Sequence, residues 1–247
     1  MTISPAQGIR GNDIIPLSSL KLIGITGHAG TGKDTIADYI QQNYKDCYIE
    51  SFAKPLKAAC AAAFGLPVEY FNDRELKEQE VFWGTTPRKI AQFVGTEMFR
   101  ESVHSLYNER EVFNYPAGHW INLLQARLTG QSAPPEGEGF YEPGETIIIP
   151  DVRFQDEADW IWNNNGIVIK VTREGCYGAV GLPGHSSEAG VTTDFKYQKN
   201  HLIINNGTKK ELYETVESFI HFYRDYLSLE REPESEKPKT GFHESDF

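Results

Sequence analysis

Five short apolar runs punctuate the chain, and between them apolar residues recur at helical spacing. The runs at 21–26, 47–52, 146–151, 166–171 and 201–204 are too short for helices, so each is predicted as a strand. Helices are predicted between them. The first covers 35–44, with Ile36, Ala37 and Ile40 on one side. The second covers 55–64, opened by Pro55, closed by Gly65 and striped by Leu56, Ala59, Cys60 and Ala63. A third starts at Thr86-Pro87 and buries Ile90, Phe93 and Val94, and Gly95-Thr96-Glu97 is expected to interrupt it. Further helices cover 120–128, with Trp120, Leu123, Leu124 and Leu128, and 154–164, closed by Asn165-Gly166. The last opens on Thr208, which pairs with Glu211 as a capping box, and buries Leu212, Val216, Phe219 and Tyr223. Strands alternating with helices predict an α/β fold, a five-stranded parallel sheet with right-handed crossovers.

The remaining segments follow from what lacks a period. Residues 1–20 read as an N-terminal arm, and 21–229 as the folded domain. Within it, 54–128 is a mostly helical region between the second and third strands. Residues 129–145 form a loop rich in Gly, Pro and Glu. The glycine-punctuated stretch 172–200, with His185-Ser186-Ser187-Glu188, is a candidate closing lid or an irregular surface excursion. Residues 230–247 are expected to be a disordered acidic tail.

The first strand runs into Gly27-His28-Ala29-Gly30-Thr31-Gly32-Lys33, followed by Asp34, Thr35 and the first helix. Strand, glycine loop and helix are the context in which G-x-x-x-x-G-K cradles phosphates. Loop N–H groups converge on an anion at the helix N-terminus, and Lys33 adds a mobile positive charge. The residue after the lysine is usually Ser or Thr; here it is Asp34. A carboxylate beside a triphosphate is repelled unless a cation or an arginine intervenes. Asp34 is therefore expected to face a metal or the acceptor side. The third strand ends in Asp151, which in such enzymes supports magnesium, and Arg153 follows two residues later. Lys54 and Lys57 start the second helix near the C-terminal edge of the second strand, where open parallel sheets bind ligands, and Arg88, Arg100, Arg127, Arg153 and Arg173 each fall near a predicted loop or helix start. Guanidinium forks match phosphate bidentately, so several arginines favour an acceptor that itself carries phosphate.

Bulk properties narrow the picture. The 247 residues allow one large α/β domain, and a formal charge of −11 argues against general nucleic-acid binding. The three cysteines, Cys47, Cys60 and Cys176, have no C-x-x-C spacing, so neither a disulfide framework nor a zinc site is expected, and a reducing cytoplasmic compartment fits. No apolar stretch approaches membrane-spanning length, and the N-terminus has no signal-peptide pattern.

The chain resembles the phage deoxynucleoside monophosphate kinases. The residues that carry the resemblance are the loop with its Lys33-Asp34-Thr35 continuation; Ser51-Phe52-Ala53-Lys54-Pro55-Leu56-Lys57; Thr86-Pro87-Arg88-Lys89 with Gln92 and Gly95-Thr96-Glu97; Pro150-Asp151-Val152-Arg153-Phe154; His185 to Gly190; and Asn206-Gly207-Thr208. The resemblance implies a P-loop nucleoside-triphosphate hydrolase fold with a helical monophosphate-binding insertion and a lid. It also implies transfer of the γ-phosphoryl of ATP, assisted by Mg2+, to a deoxynucleoside 5′-monophosphate. By position it assigns catalysis to Lys33, Asp34, Asp151, Arg153 and Arg173. ATP would bind His28, Ala29, Gly30, Thr31, Gly32, Lys33, Asp34 and Thr35, and pass Asn206, Gly207 and Thr208. The monophosphate would bind Lys54, Arg88, Gln92, Thr96, Arg100 and Trp120. Asp34 and Asp151 would lie at the metal. The implied location is the cytoplasm, that of the host if a phage encodes the chain. A homodimer is compatible with the sequence, and neither nucleic acid nor membrane is an expected partner. Two other readings stay open: a kinase of another small phosphorylated acceptor, such as dephospho-coenzyme A or phosphomevalonate, and a non-catalytic nucleotide switch.

Overall fold

The computed structural model describes residues 15–103, 118–133, 138–176, 190–192, 200–223 and 227–229. Most of the expected arm, most of the lid-like stretch with His185, and the tail lie outside the described residues.

All five expected strands are present and parallel: β1 (Lys21–Thr26), β2 (Cys47–Ile49), β3 (Thr146–Val152), β4 (Ile167–Thr172) and β5 (Asn200–Ile204), in the order β2-β3-β1-β4-β5. Winding reverses beside β1, which has β3 on one side and β4 on the other, so a crevice opens at their C-terminal ends. Strands buried on both faces read as continuous apolar runs. Ile23, Ile25, Ile148, Ile167 and Ile169 point to one face and meet α1 (Lys33–Asn43) and α7 (Lys209–Phe222). Leu22, Ile147, Ile149 and Val168 point to the other face and belong to a second core. Helices α2 (Lys54–Phe64), α4 (Pro87–Phe93), α5 (His119–Leu128) and α6 (Gln155–Asn163) contribute most of its remaining side chains. Gly24 is required there, because a Cβ would sit 2.5 Å from Ile161 Cδ1 on α6.

Three expectations needed correction. Helix α2 buries Leu56, Cys60 and Ala61, whereas Ala59 and Ala63 are exposed. Its second half is nearly all apolar, so no polar face fixes its rotation, and tertiary packing decides which side is inward. Helix α4 buries Gln92 and leaves Phe93 51% exposed, the reverse of the apolar pattern. Gly95-Thr96-Glu97 does not end the helix. It continues as a π-helix over Val94–Ser102 in which Gly95 packs against Leu56, whose Cδ2 would lie 2.6 Å from an added Cβ. A short helix, α3 (Glu69–Asn72), and a 3₁₀ turn (Leu76–Glu78) complete the helical insertion between β2 and β3. Among the described residues no helix is long and apolar enough to cross a membrane.

Candidate functional site

The loop between β1 and α1 takes its shape from three glycines with positive φ, Gly27 at 147°, Gly30 at 80° and Gly32 at 101°. A Cβ on Gly27 would lie 2.3 Å from Val171 O, and one on Gly32 would lie 2.6 Å from Asn205 Nδ2. Thr31 is buried and donates from Oγ1 to His28 O at 2.9 Å. Lys33 Nζ folds back over the turn and donates to Gly27 O at 2.7 Å and His28 O at 2.8 Å. The end of β5 braces the loop. Buried Asn205 donates from Nδ2 to Thr31 O at 2.9 Å, and its own N–H donates to Thr172 O. Asn205 was missed by sequence reasoning, because an Asn ending a strand looks like any turn residue.

Two cavities open at this edge. The donor-side cavity is lined by Gly27, His28, Ala29, Thr31 and Lys33, by Lys170 and Arg173 from β4 and its exit, and by Cys176. The acceptor-side cavity is bounded by Phe52, Leu56 and Phe71, by Gln92, Thr96 and Trp120, and by Asp151 and Phe154. Arg88 and Arg153 line both cavities. Arg88 is held by Glu78, with Nε 2.5 Å from Oε1, and its side chain is only 9% exposed. Positive charge accumulates around the acceptor cavity. The Lys77 ammonium is pushed below its ordinary value by burial first, then by the neighbouring Arg88 and Lys57 charges, with Arg153 adding a little. Cations packed so closely are stabilised by an anion between them.

Asp151 reaches the same cavity from the tip of β3, but most of its acceptor capacity is taken. Ser51 Oγ donates to Oδ2 at 2.6 Å, Ala53 N donates to the same oxygen at 2.9 Å, and Phe52 N donates to Oδ1 at 3.2 Å. The carboxylate thereby clamps the β2–α2 turn onto the central strand. With about four lone-pair sites, it retains room for one further donor, such as a water of a metal's shell. Asp34 is exposed on the first turn of α1, near Asp38, whose carboxyl is pushed up by burial and then by the Asp34 charge. Among the described residues no group of three His, Cys, Asp or Glu is placed to hold a metal by itself. This donor set fits a divalent cation held chiefly by phosphate oxygens and water, the habit of Mg2+.

The other expected residues divide. Gln92, Thr96, Arg100 and Trp120 line the acceptor cavity. Arg100 also has a bracing role: it stacks 3.7 Å over the Phe154 ring and pairs with Asp156 and buried Glu157, each at 2.5 Å. Burial pushes the Glu157 carboxyl up to about 8, against the opposing pull of Arg100 and of the N–H groups of Arg153 and Phe154. The two N–H groups donate to Glu157 Oε2 at 2.8 and 3.1 Å, so the loop carrying Arg153 is pinned to the acceptor wall. Trp120 donates from Nε1 to Gly95 O at 2.9 Å. Lys54 and Arg127 line neither cavity; they share Glu138, at 2.7 and 3.2 Å, behind the site. Asn206, Gly207 and Thr208 also line neither cavity. Asn206 Oδ1 accepts from Glu174 N, Gly207 packs on Glu211, and Thr208 caps α7. Lys77, Phe71 and Lys170 line the cavities although no motif marks them.

Comparison with known proteins bears on this arrangement. A protein of Acanthamoeba polyphaga mimivirus, named for deoxynucleotide monophosphate kinase activity, is 32% identical over 205 residues, covering 81% of this chain and 95% of its own length. The deoxynucleoside-5′-monophosphate kinase of Escherichia phage T5 is 32% identical over 204 residues, covering 58% of this chain and 72% of its own. No family model matches the chain. A relative matched along nearly its whole length, on a sheet that sets a glycine loop beside a second basic cavity, shows that the chain belongs to the deoxynucleoside monophosphate kinases.

Proposed function

We propose that the protein transfers the γ-phosphoryl group of ATP to a deoxynucleoside 5′-monophosphate, giving ADP and the deoxynucleoside diphosphate. The observation that carries this reading is the pair of cavities that share Arg88 and Arg153. One cavity presents backbone and lysine donors for a triphosphate, and the other presents aromatic, amide and basic groups for a phosphorylated acceptor. Anions in both would approach each other across the same two guanidinium groups.

The roles follow from position. The loop amides and Lys33 bind the donor phosphates, with the Lys33 ammonium exchanging its loop carbonyls for phosphate oxygens. Lys57, Lys77 and Arg88 bind the acceptor phosphate, and Gln92, Thr96 and Trp120 surround the nucleoside. An acceptor phosphate oxygen attacks the γ-phosphorus while the bond to the β–γ bridging oxygen breaks, so ADP leaves with the electron pair. Arg153, with Arg88, neutralises charge spread over the transferring oxygens. Mg2+, held by nucleotide oxygens with Asp34 and Asp151 touching its water shell, would offset donor charge. The test is ADP release from ATP with dAMP, dGMP, dTMP or dCMP, with dephospho-coenzyme A and phosphomevalonate offered in parallel. Turnover with a deoxynucleotide supports the reading. Turnover only with one of the other two acceptors, or ATP binding without turnover, would replace it.

A further inference from the structure

Arg74 stands apart from the other described arginines of the helical insertion. Arg88 and Arg100 are both ion-paired to carboxylates, whereas among the described residues none pairs with the Arg74 guanidinium. It lines neither cavity, but it has a defined place beside the glycine loop. Its Nη2 lies 3.6 Å from where a Cβ of Gly30 would be, at the tip of the phosphate loop, with Cys176 Sγ the other neighbour at 3.5 Å. No residue of the nucleotide-binding motif marks Arg74, since it arrives from between α3 and the following 3₁₀ turn.

That turn is rigid for a local reason. Asp73 Oδ1 accepts the N–H groups of Glu75 and Leu76, both at 2.8 Å, and these bonds hold its carboxyl below the usual carboxylate range. The next residues serve the acceptor side: Lys77 lines its cavity and Glu78 holds Arg88. One short segment thus places a cation beside the glycine loop and another at the wall of the acceptor cavity.

We propose that Arg74 is a catalytic residue that binds the transferring phosphoryl group at the tip of the phosphate loop. This rests on the kinase reading above. As the γ-phosphorus leaves the bridging oxygen for the acceptor oxygen, negative charge grows on the bridge, and the transferring group keeps its charge spread over three equatorial oxygens. A guanidinium fork beside Gly30 donates to those oxygens and stabilises that charge more than the ground state. Lys77 and Glu78 belong to the same segment, so the turn that presents Arg74 also carries a lining residue of the acceptor cavity and the carboxylate that holds Arg88.

The test compares the parent chain with Arg74→Ala and Arg74→Lys in steady-state assays with ATP and a deoxynucleoside monophosphate, alongside thermal unfolding. The expected result for Arg74→Ala is a kcat loss on the order of 10²-fold or more, as for other arginines that meet a transferring phosphoryl group. The KM for ATP should change by less than about threefold, the signature of an interaction made in the transition state. Arg74→Lys should recover only part of the loss, because an ammonium lacks the fork. Unfolding temperatures should match, because the side chain is exposed and carries no ion pair. A kcat within twofold of the parent, or a loss confined to KM, would overturn the assignment while the parent's turnover keeps the kinase reading intact. A parent chain with no turnover would overturn both.

Discussion

The donor and acceptor cavities share two arginines yet are built by opposite means. The donor grip is local. Seven consecutive residues, three of them glycines with positive φ, form the turn proposed to bind the donor phosphates through its backbone N–H groups. The acceptor cavity is assembled from distant pieces: the β2–α2 turn, α3, α4, the π-helix, α5, the tip of β3 and the start of α6. Anion binding by backbone needs only a permitted conformation, which a short motif can encode. Recognition of a nucleoside monophosphate needs side chains that converge, and no single stretch of chain supplies them.

Substitutions at each end can break or sharpen this contrast. The largest effect is expected from Lys33→Ala, which should reduce turnover by on the order of 10³-fold, as removal of a preorganised charge partner does, while the far-ultraviolet circular dichroism stays native. Near-parental rates would remove the loop from the reaction. Arg153→Ala should follow, with a kcat loss of roughly 10²- to 10³-fold on the same ground. If only the acceptor KM rose, Arg153 would belong to one cavity and the shared-arginine picture would fail. Gln92→Ala should act on one side alone. Losing a hydrogen-bonding group at a buried site costs about 1–3 kcal/mol, so the acceptor KM should rise about tenfold or more while the ATP KM stays put. Equal effects on both substrates would show that the cavities are not separate. Thr208→Ala is the smallest: removing the cap of α7 should cost about 1 kcal/mol of stability, read as a lower unfolding temperature, with neither KM altered. A raised ATP KM would bring the 206–208 turn back to the nucleotide, where family position had put it.

The helical insertion shows why the two ends differed in legibility. The five strands were readable because a central parallel strand is buried on both faces and must be apolar throughout. Glycine loop, N-caps and C-caps were readable because they answer to backbone geometry within a few residues. Helix α4 was misread on its inner face. Apolar spacing puts Phe93 inside, yet Gln92 is buried and Phe93 exposed, because the buried face of this part of α4 borders a cavity that also holds charged and polar groups. Lys54 and Arg127 both end on Glu138, from a loop whose position the pattern does not encode. A basic residue near a helix start looks the same whether it awaits a phosphate or already has a carboxylate.

By itself the sequence determined the parallel sheet, the phosphate-binding turn after β1, the carboxylate at the tip of β3 and the capping of α7, since each depends on local sterics, hydrogen bonding or uniform burial. Tertiary structure alone decided which basic groups line the cavities and which end on Glu138. It alone set Asn205 against the loop, turned Gln92 inward and carried Arg74 to Gly30. A side chain's partner is fixed by where separate segments come to rest, and charge or polarity read along the chain carries no record of that distance.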